Sequence, residues 1–427
     1  MSRRNRLLAL ALVAVIHLAA FAPTIGSYSS ILDRGFWPQA ERVLDGDLPY
    51  REVNFEYPPL ALPPVVAPAA LSDGVEGYRH AFELELLFFD LAIVAVLALC
   101  APGPERRVWQ ALGVYSVCVI ATSGVVLWDS TIEAAPLVLA RFDLIPALLI
   151  LAALLARRAR RSAAWAGMLG AAVAIKAFPA LLVPSMARGE HRGRRAAIAL
   201  GLPILAVAAV VVISGDEFAS AIDYHRDRDL QIETVAATPL MLAHQLGGTG
   251  ARVVVGGGSF NLAAPGAGLA KAASIALLLG SVALILYMAH RRRLDPFVEA
   301  TALLAAVVAF APVLSPQFLL WVLPVSAVAY GLGRENVVLI GCFVLTQDVL
   351  HNYIGVEALE GPFVWSLAAR NALLLVYLAL VLLPVFRPGA RPVPFEAVIQ
   401  HPPRERRNPV STRSRTGAQG EGRGGAA

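Results

Sequence analysis

Charge is what this chain lacks most. Asp, Glu, Lys and Arg make up 16% of its 427 residues, against 57% hydrophobic. A soluble chain carries charge on about a quarter of its residues. The shortage excludes a soluble globular enzyme, and the apolar surplus excludes a disordered or fibrous protein. What remains is a polytopic membrane protein. Cysteine is scarce too: Cys100, Cys118 and Cys342 lie inside apolar runs without metal-ligand spacing, so they read as small hydrophobes. No internal repeat marks an inverted-repeat transporter.

The charge that is present is sorted. The formal net charge is +5, but the basic residues form short strings between apolar runs, not one polar face for nucleic acid. The strings are Arg3-Arg4-Asn5-Arg6, Arg106-Arg107, Arg157–Arg161, Arg192–Arg195, Arg291–Arg293 and Arg404–Arg407. Such strings mark the cytoplasmic face of a membrane protein. Runs long enough to span, roughly 17–25 apolar residues, fall at 7–23, 80–101, 108–127, 140–156, 196–214, 268–289, 297–314, 317–333, 336–350 and 364–385. Ala20-Phe21-Ala22 resembles a signal-peptide cleavage site, but Pro23 directly after it favours an uncleaved anchor. Both termini are then cytoplasmic, and the loops 24–79 and 215–267 face outward.

Two apolar segments do not fit as plain spans. Segment 58–71 is short, carries five prolines and would put Arg106-Arg107 outside if it crossed. It reads as an outer juxtamembrane or re-entrant segment. Segment 163–187, with Lys176 and Pro179 at its middle, lies between two basic loops. It is either a broken re-entrant hairpin or a full span that breaks the charge rule. Residues 1–386 thus form one multi-pass domain, and the Pro/Gly/Arg-rich tail 387–427 is expected to be disordered and to rest on anionic lipid.

The outer loops hold the chemistry. The first carries Asp33, Glu41, Asp45, Asp47, Glu52 and Glu56 against Arg34, Arg42 and Arg51, interleaved with Phe36, Trp37, Tyr50, Phe55 and Tyr57. Carboxylates accept bonds from sugar hydroxyls, aromatic faces stack on sugar rings, and one carboxylate can serve as general base. A solvated acidic loop is the plainer reading. Asp45-Gly46-Asp47 has the Asp-x-Asp form of a metal–nucleotide clamp, yet Asp-Gly before Leu-Pro is a common turn, and the turn is preferred.

Lys176 is costly in an apolar run unless a carboxylate or a lipid phosphate pairs with it, or it snorkels to an interface. Arg141 and Asp143 stand at the outer end of a span, as a helix-linking pair or as site groups. Asp223–Glu233 contains His225, Arg226 and Arg228, suited to a phosphate, or else forms an ion-paired loop helix. Gly247–Gly250 and Gly256–Gly258 lack the Lys-Ser/Thr ending of a phosphate loop and read as flexible turns. Gln317 and Trp321, one helical turn apart, either face a lumen or, for Trp321, belong to an interfacial aromatic belt.

Taken in order, the acidic first loop, Gly46-x-x-Pro49-Tyr50-Arg51, Glu56-Tyr57-Pro58-Pro59-Leu60, Lys176-x-x-Pro179, Tyr224-His225-x-x-Arg228 and Ser315-Pro316-Gln317-Phe318-Leu319-Leu320-Trp321 resemble glycosyltransferase family 87. The resemblance implies an all-α, GT-C-like bundle of about 10–12 transmembrane helices with outer juxtamembrane helices. It implies an inverting enzyme of the cell membrane that moves a sugar, typically mannose, from a polyprenyl-phosphate donor to a lipid-linked or envelope glycan acceptor on the outer face. No cofactor, metal or nucleic acid is implied; the partners are donor, acceptor and membrane lipid.

In the GT-C pattern a first-loop Asp is the general base, and Asp33 occupies that place. Tyr50, Arg51, Glu52, Glu56, Tyr57, Arg141, Asp143 and Gln317 are then the substrate-binding candidates. Lys176, His225, Arg226 and Arg228 are the lipid-phosphate candidates. Glu52 stands where the family pattern has Asp. The rival classes are a transporter or flippase of lipid-linked precursors, and a non-catalytic assembly subunit.

Overall fold

The computed structural model describes residues 1–123, 136–186, 188, 191–215, 228–248, 250–292 and 294–386. The tail 387–427, His225, Arg226 and the end of the expected span 108–127 lie outside the described residues. The chain is an all-α polytopic membrane protein. Its helices are α1 (Arg3–Phe21), α2 (Trp37–Leu44), α3 (Leu62–Ala70), α4 (Gly74–Cys100), α5 (Glu105–Ala121), α6 (Leu144–Arg158), α7 (Ser162–Ile175), α8 (Val183–Met186) and α9 (Arg192–Ser214). After α10 (Thr238–Gln245) and the strands β1 (Arg252–Gly256) and β2 (Ser259–Ala263) come α11 (Ala267–Arg292), α12 (Pro296–Phe310), α13 (Leu319–Tyr330), α14 (Arg334–His351) and α15 (Gly361–Phe386).

Five segments, Arg3–Thr24, α9, α11, Arg334–Gly355 and α15, are long and apolar enough to cross a bilayer by themselves. The remaining expected spans are also helices, shorter or more charged. Helices α12 and α13, 15 and 12 residues long, are buried on nearly every side, so other helices surround them in place of lipid. Sequence accounts for several boundaries. Helix α6 starts at Leu144 and not at 140, because Pro146 in its first turn has no N–H to extend the ladder backwards. Helix α13 stops at Tyr330 because Gly331 takes φ +55°.

Among the described residues, arginines between the apolar runs collect at one end of the bundle. Arg6 donates to the carbonyls of Ala98 and Ala101. Arg107 donates to Tyr330 O at 2.9 Å, and Arg292 to Val385 O at 2.9 Å. Arg188 grips Glu299 at the start of α12 with two bonds of 2.9 and 2.5 Å. These basic ends of α1, α4, α5, α11, α12, α13 and α15 therefore share one face, as alternating spans require.

Segment 58–71 forms a 3-10 turn over Pro59–Ala61 running into α3. Pro59, Pro63 and Pro64 sit in first turns, where a missing N–H breaks no bond, whereas Pro68 lies inside α3. Twelve residues are too few to span. Segment 163–187 is broken at Lys176, whose backbone is extended (φ −143°, ψ 134°), and continues as a 3-10 turn over Phe178–Leu182 and then α8. It leaves the basic end after Arg161 and is back there by Arg188. A broken hairpin, not a full span, is what forms.

The strands were not foreseen. Val253–Val255 pair antiparallel with Phe260–Leu262 through Gly257 and Gly258, at φ +56° and +63°. Two glycines at positive φ are what a tight hairpin of this kind needs. The flexible-turn reading of these glycines gives way to an ordered hairpin. Ile232 N–H donates to Phe260 O and Leu262 N–H to Leu230 O, so residues 230–232 extend the hairpin inward.

Candidate active site

The depth of the site follows from helix lengths. Gly170 of α7 lies against Ala199 of α9, where a Cβ would come 2.8 Å from the Ala199 carbonyl oxygen. From that level α9 rises to Ser214 while α7 stops before Lys176. At 1.5 Å per residue this recesses Lys176 by roughly 13 Å. The Ser214 hydroxyl donates to Pro49 O at 3.0 Å, so the first loop lies at the level of the α9 tip. Lys176 thus stands at the floor of a recess beneath that loop.

Four separate stretches meet at the floor. Lys176 Nζ donates to Asp143 Oδ1 at 2.7 Å, and Trp321 Nε1 donates to the same oxygen at 2.5 Å. Asp143 is fully buried, and its second oxygen has no partner among the described residues. The ammonium also faces the rings of Phe142 (4.9 Å), Tyr57 (5.3 Å), Trp321 (5.6 Å) and Phe318 (5.8 Å), a cation–π cage. Phe178 and Phe318 stack on Trp321 with ring centres at 3.7 and 3.9 Å. Lys176 therefore does not snorkel, and Trp321 is not part of an interfacial belt.

The wall toward the first loop is aromatic. Tyr57 packs edge-on to Phe142 at 4.9 Å, and Phe36 and Phe55 close around it. Tyr50 anchors this wall by donating from its hydroxyl to Tyr57 O at 2.6 Å. Its backbone is left-handed (φ +68°), a conformation that costs a non-glycine residue about 1 kcal/mol or more. Tyr57 donates to Glu56, and burial, then that carboxylate, push its phenol above the usual range. It serves as a neutral donor at any working pH.

Arg141 joins this floor to a second group. Its charge reaches Tyr57 and Lys176 on one side and Glu233 and Tyr353 on the other. Arg141 and Asp143 both bear on Tyr57 and Lys176, although a spacing of two would separate them on a helix, because both precede α6.

Other predicted residues lie apart. Asp33, in a π-turn over Leu32–Phe36, pairs with Arg79 Nε of α4 at 3.3 Å; Arg79 is itself tied to Gly26 O. It is linked to the floor through Phe36, whose ring meets both Tyr57 and Phe142. Arg51 and Glu52 are exposed on the turn 48–53, where Glu52 accepts from Leu48 N–H at 2.7 Å. Asp47 of the Asp-x-Asp sequence is held by Arg42 at 2.7 Å. Gln317 is buried with its Oε1 unpartnered among the described residues. Arg228 offers its carbonyl to Lys271 at 2.6 Å.

Sequence reading missed Glu233 as a candidate and missed Arg370 altogether. Arg370 Nη2 donates to Glu233 O at 2.8 Å from the middle of α15. An arginine inside a 26-residue apolar helix was a readable signal, since such residues are retained for a partner.

The family model of Glycosyltransferase family 87 matches residues 55–316. No curated protein matches the chain. The matched stretch includes Glu56, Tyr57, Arg141, Asp143, Lys176 and Glu233 and stops one residue before Gln317; Asp33 precedes it. Covering more than half of the sequence, the match decides against a transporter: the chain belongs to glycosyltransferase family 87 and is a membrane glycosyltransferase.

Proposed function

We propose that this enzyme transfers mannose from a polyprenyl-phosphate donor to a lipid-linked or envelope glycan acceptor at the outer face of the cell membrane. The observation that carries this reading is the caged Lys176–Asp143 pair beside Arg141, recessed at the end opposite the arginine strings. Positive strings mark the cytoplasmic side, so both termini are cytoplasmic and the recess opens outward, where no nucleotide sugar is at hand. A donor whose sugar hangs from a lipid phosphate fits a recess walled by membrane helices.

The reaction needs few groups. The acceptor hydroxyl oxygen bonds to the anomeric carbon as the bond from that carbon to phosphate oxygen breaks on the opposite face, inverting it. The hydroxyl proton passes to a carboxylate, for which Asp33 is the proposed base. The leaving polyprenyl phosphate gains negative charge, which Lys176 and Arg141, aided by Arg228, His225 and Arg226, offset without a metal. Glu56, Tyr57, Asp143 and Gln317 line the sugar, Tyr50 holds Tyr57 in place, and Arg51 and Glu52 stand at the rim.

The test is transfer by the purified protein in lipid vesicles, with labelled polyprenyl-phosphate mannose. Loss of label from the donor lipid and an effect of Asp33→Asn of 10²-fold or more are expected, the usual reach of general-base catalysis. Full activity of Asp33→Asn would remove Asp33 from the base position. An inert donor with active protein would overturn the donor assignment.

A further inference from the structure

Near Arg141 lies one buried carboxylate that takes no part in the Lys176 cluster. Glu233 is 2% exposed, in the segment between α9 and α10. Its backbone carbonyl receives Arg370 Nη2 at 2.8 Å and Asn371 Nδ2 at 3.1 Å, so α15 fixes where the residue sits. Its side chain is only half used: Tyr353 donates to Oε1 at 2.9 Å, while Oε2 is buried with no partner among the described residues.

Other buried acceptors share that condition among the described residues, Gln231 Oε1, Gln317 Oε1 and Asp143 Oδ2 among them. Contacts of neighbouring residues link the segments that carry these four. Gln231 N–H donates to Pro312 O, five residues before Gln317. Trp321, one helical turn beyond Gln317, donates to Asp143, and Arg141, two residues before Asp143, reaches Glu233. An acceptor buried without a donor costs about 1–3 kcal/mol. Arg370 Nε and Nη1 are buried donors without a partner among the described residues, but a phosphate, which brings only acceptors, would leave Glu233 Oε2 and Gln231 Oε1 without a donor. A sugar hydroxyl, which both donates and accepts, supplies what Glu233 Oε2 and the Arg370 donors lack.

We propose that Glu233, with Gln231 beside it, binds the sugar of the glycan acceptor, Glu233 Oε2 receiving a hydrogen bond from a ring hydroxyl. The assignment rests on the glycosyl-transfer reading given above and adds the acceptor subsite to it. Burial pushes the Glu233 carboxyl up to about 7 against the pull of Arg370, the Tyr353 hydroxyl and Arg141. Acceptor binding therefore weakens as the pH falls through neutrality.

The test uses the full chain in lipid nanodiscs, with methyl dimannoside and maltose as probes followed by calorimetry. Wild-type protein binds one of them, several-fold more weakly at pH 6 than at pH 8. Glu233→Gln binds it at least tenfold more weakly at pH 8 and loses the pH dependence, while Tyr353→Phe gives a smaller loss. In the transfer assay Glu233→Gln raises the acceptor KM and leaves the donor KM alone, with no lowering of the thermal midpoint. Wild type that binds neither disaccharide, a Glu233→Gln variant that binds like wild type, or a rise in both KM values overturns the assignment. Disaccharide binding that depends on Glu233 without turnover of polyprenyl-phosphate mannose overturns the donor reading alone.

Discussion

Two buried ion pairs, one at each end of the bundle, have opposite designs. At the basic end, Glu299 gives both oxygens to Arg188, at 2.9 and 2.5 Å, and is closed. In the recess, Asp143 receives Lys176 and Trp321 on one oxygen and leaves the other unpartnered among the described residues. Both carboxylates are fully buried. Each pair incurs a desolvation cost that its attraction offsets only with good geometry. The closed pair has spent its bonding capacity on joining the chain before α9 to α12. The open pair keeps capacity in reserve, which is what a site that must accept a substrate requires.

Breaking each pair should separate these roles, and this is the largest effect expected. Removing one partner of a buried pair destabilises by about 3–5 kcal/mol, because the other charge is stranded. Glu299→Gln and Asp143→Asn should therefore both lower the thermal midpoint. Replacing both partners by neutral groups should recover much of that loss in each case. Transfer tells them apart: Glu299→Gln with Arg188→Met regains near-normal turnover, whereas Asp143→Asn with Lys176→Met stays down at least 10²-fold. Equal recovery of activity in both double variants would make the recess pair structural too.

Glu233, outside both pairs, can be tested through pH. Its carboxyl stands at about 7 in the folded protein against an ordinary 4.5. Below pH 4.5 folded and unfolded chains are both protonated, and the group contributes no pH dependence. As pH rises from 4.5 to 7 the unfolded chain ionises first, so stability falls, by about 3 kcal/mol once pH exceeds 7. Glu233→Gln should thus match wild type near pH 4.5 and melt at a higher temperature at pH 8. A gap of the same size at both pH values would place the carboxyl in its ordinary range.

Trp321→Phe tests the open pair more gently. It keeps the stack with Phe178 and Phe318 but removes the indole N–H that holds Asp143. A cost of about 1 kcal/mol in stability fits one such bond, and turnover should fall by roughly tenfold if that bond orients Asp143 toward substrate. A change confined to the thermal midpoint would show that Lys176 alone sets the carboxylate.

How much of this was legible follows from what each feature depends on. The expected runs 196–214, 268–289 and 364–385 reappear as Arg192–Ser214, Ala267–Arg292 and Gly361–Phe386, because an apolar run long enough to span is a local property. The break at Lys176 was also local, an extended residue two before Phe178-Pro179. The site was legible as suspects, not as partners. Glu56, Asp143, Lys176 and Gln317 were each suspect for their chemistry, but the meeting of Asp143 with Lys176 and Trp321 depends on packing between α6, α7 and α13. Helix α4 hid its polar face in the same way. Asp90 meets His17 at 2.6 Å and Tyr115 at 2.7 Å from other helices, so a buried network passed as charge in a marginal span.

The smallest effect concerns an ion pair that is neither closed nor open but solvated. Arg42 and Asp47 meet at 2.7 Å with side chains 51% and 39% exposed. Water already solvates both charges, so the pair stabilises by about 0.2–1 kcal/mol at most. Asp47 also belongs to the Asp45-Gly46-Asp47 sequence, which has the form of a metal clamp. Here Gly46 takes φ +107° and Asp45 closes α2, the geometry of a turn. Asp47→Asn should therefore leave transfer, and its response to a chelator, as in wild type. A loss of turnover restored by added Mn²⁺ or Mg²⁺ would make this surface pair part of the site and would dissolve the distinction between solvated and buried carboxylates.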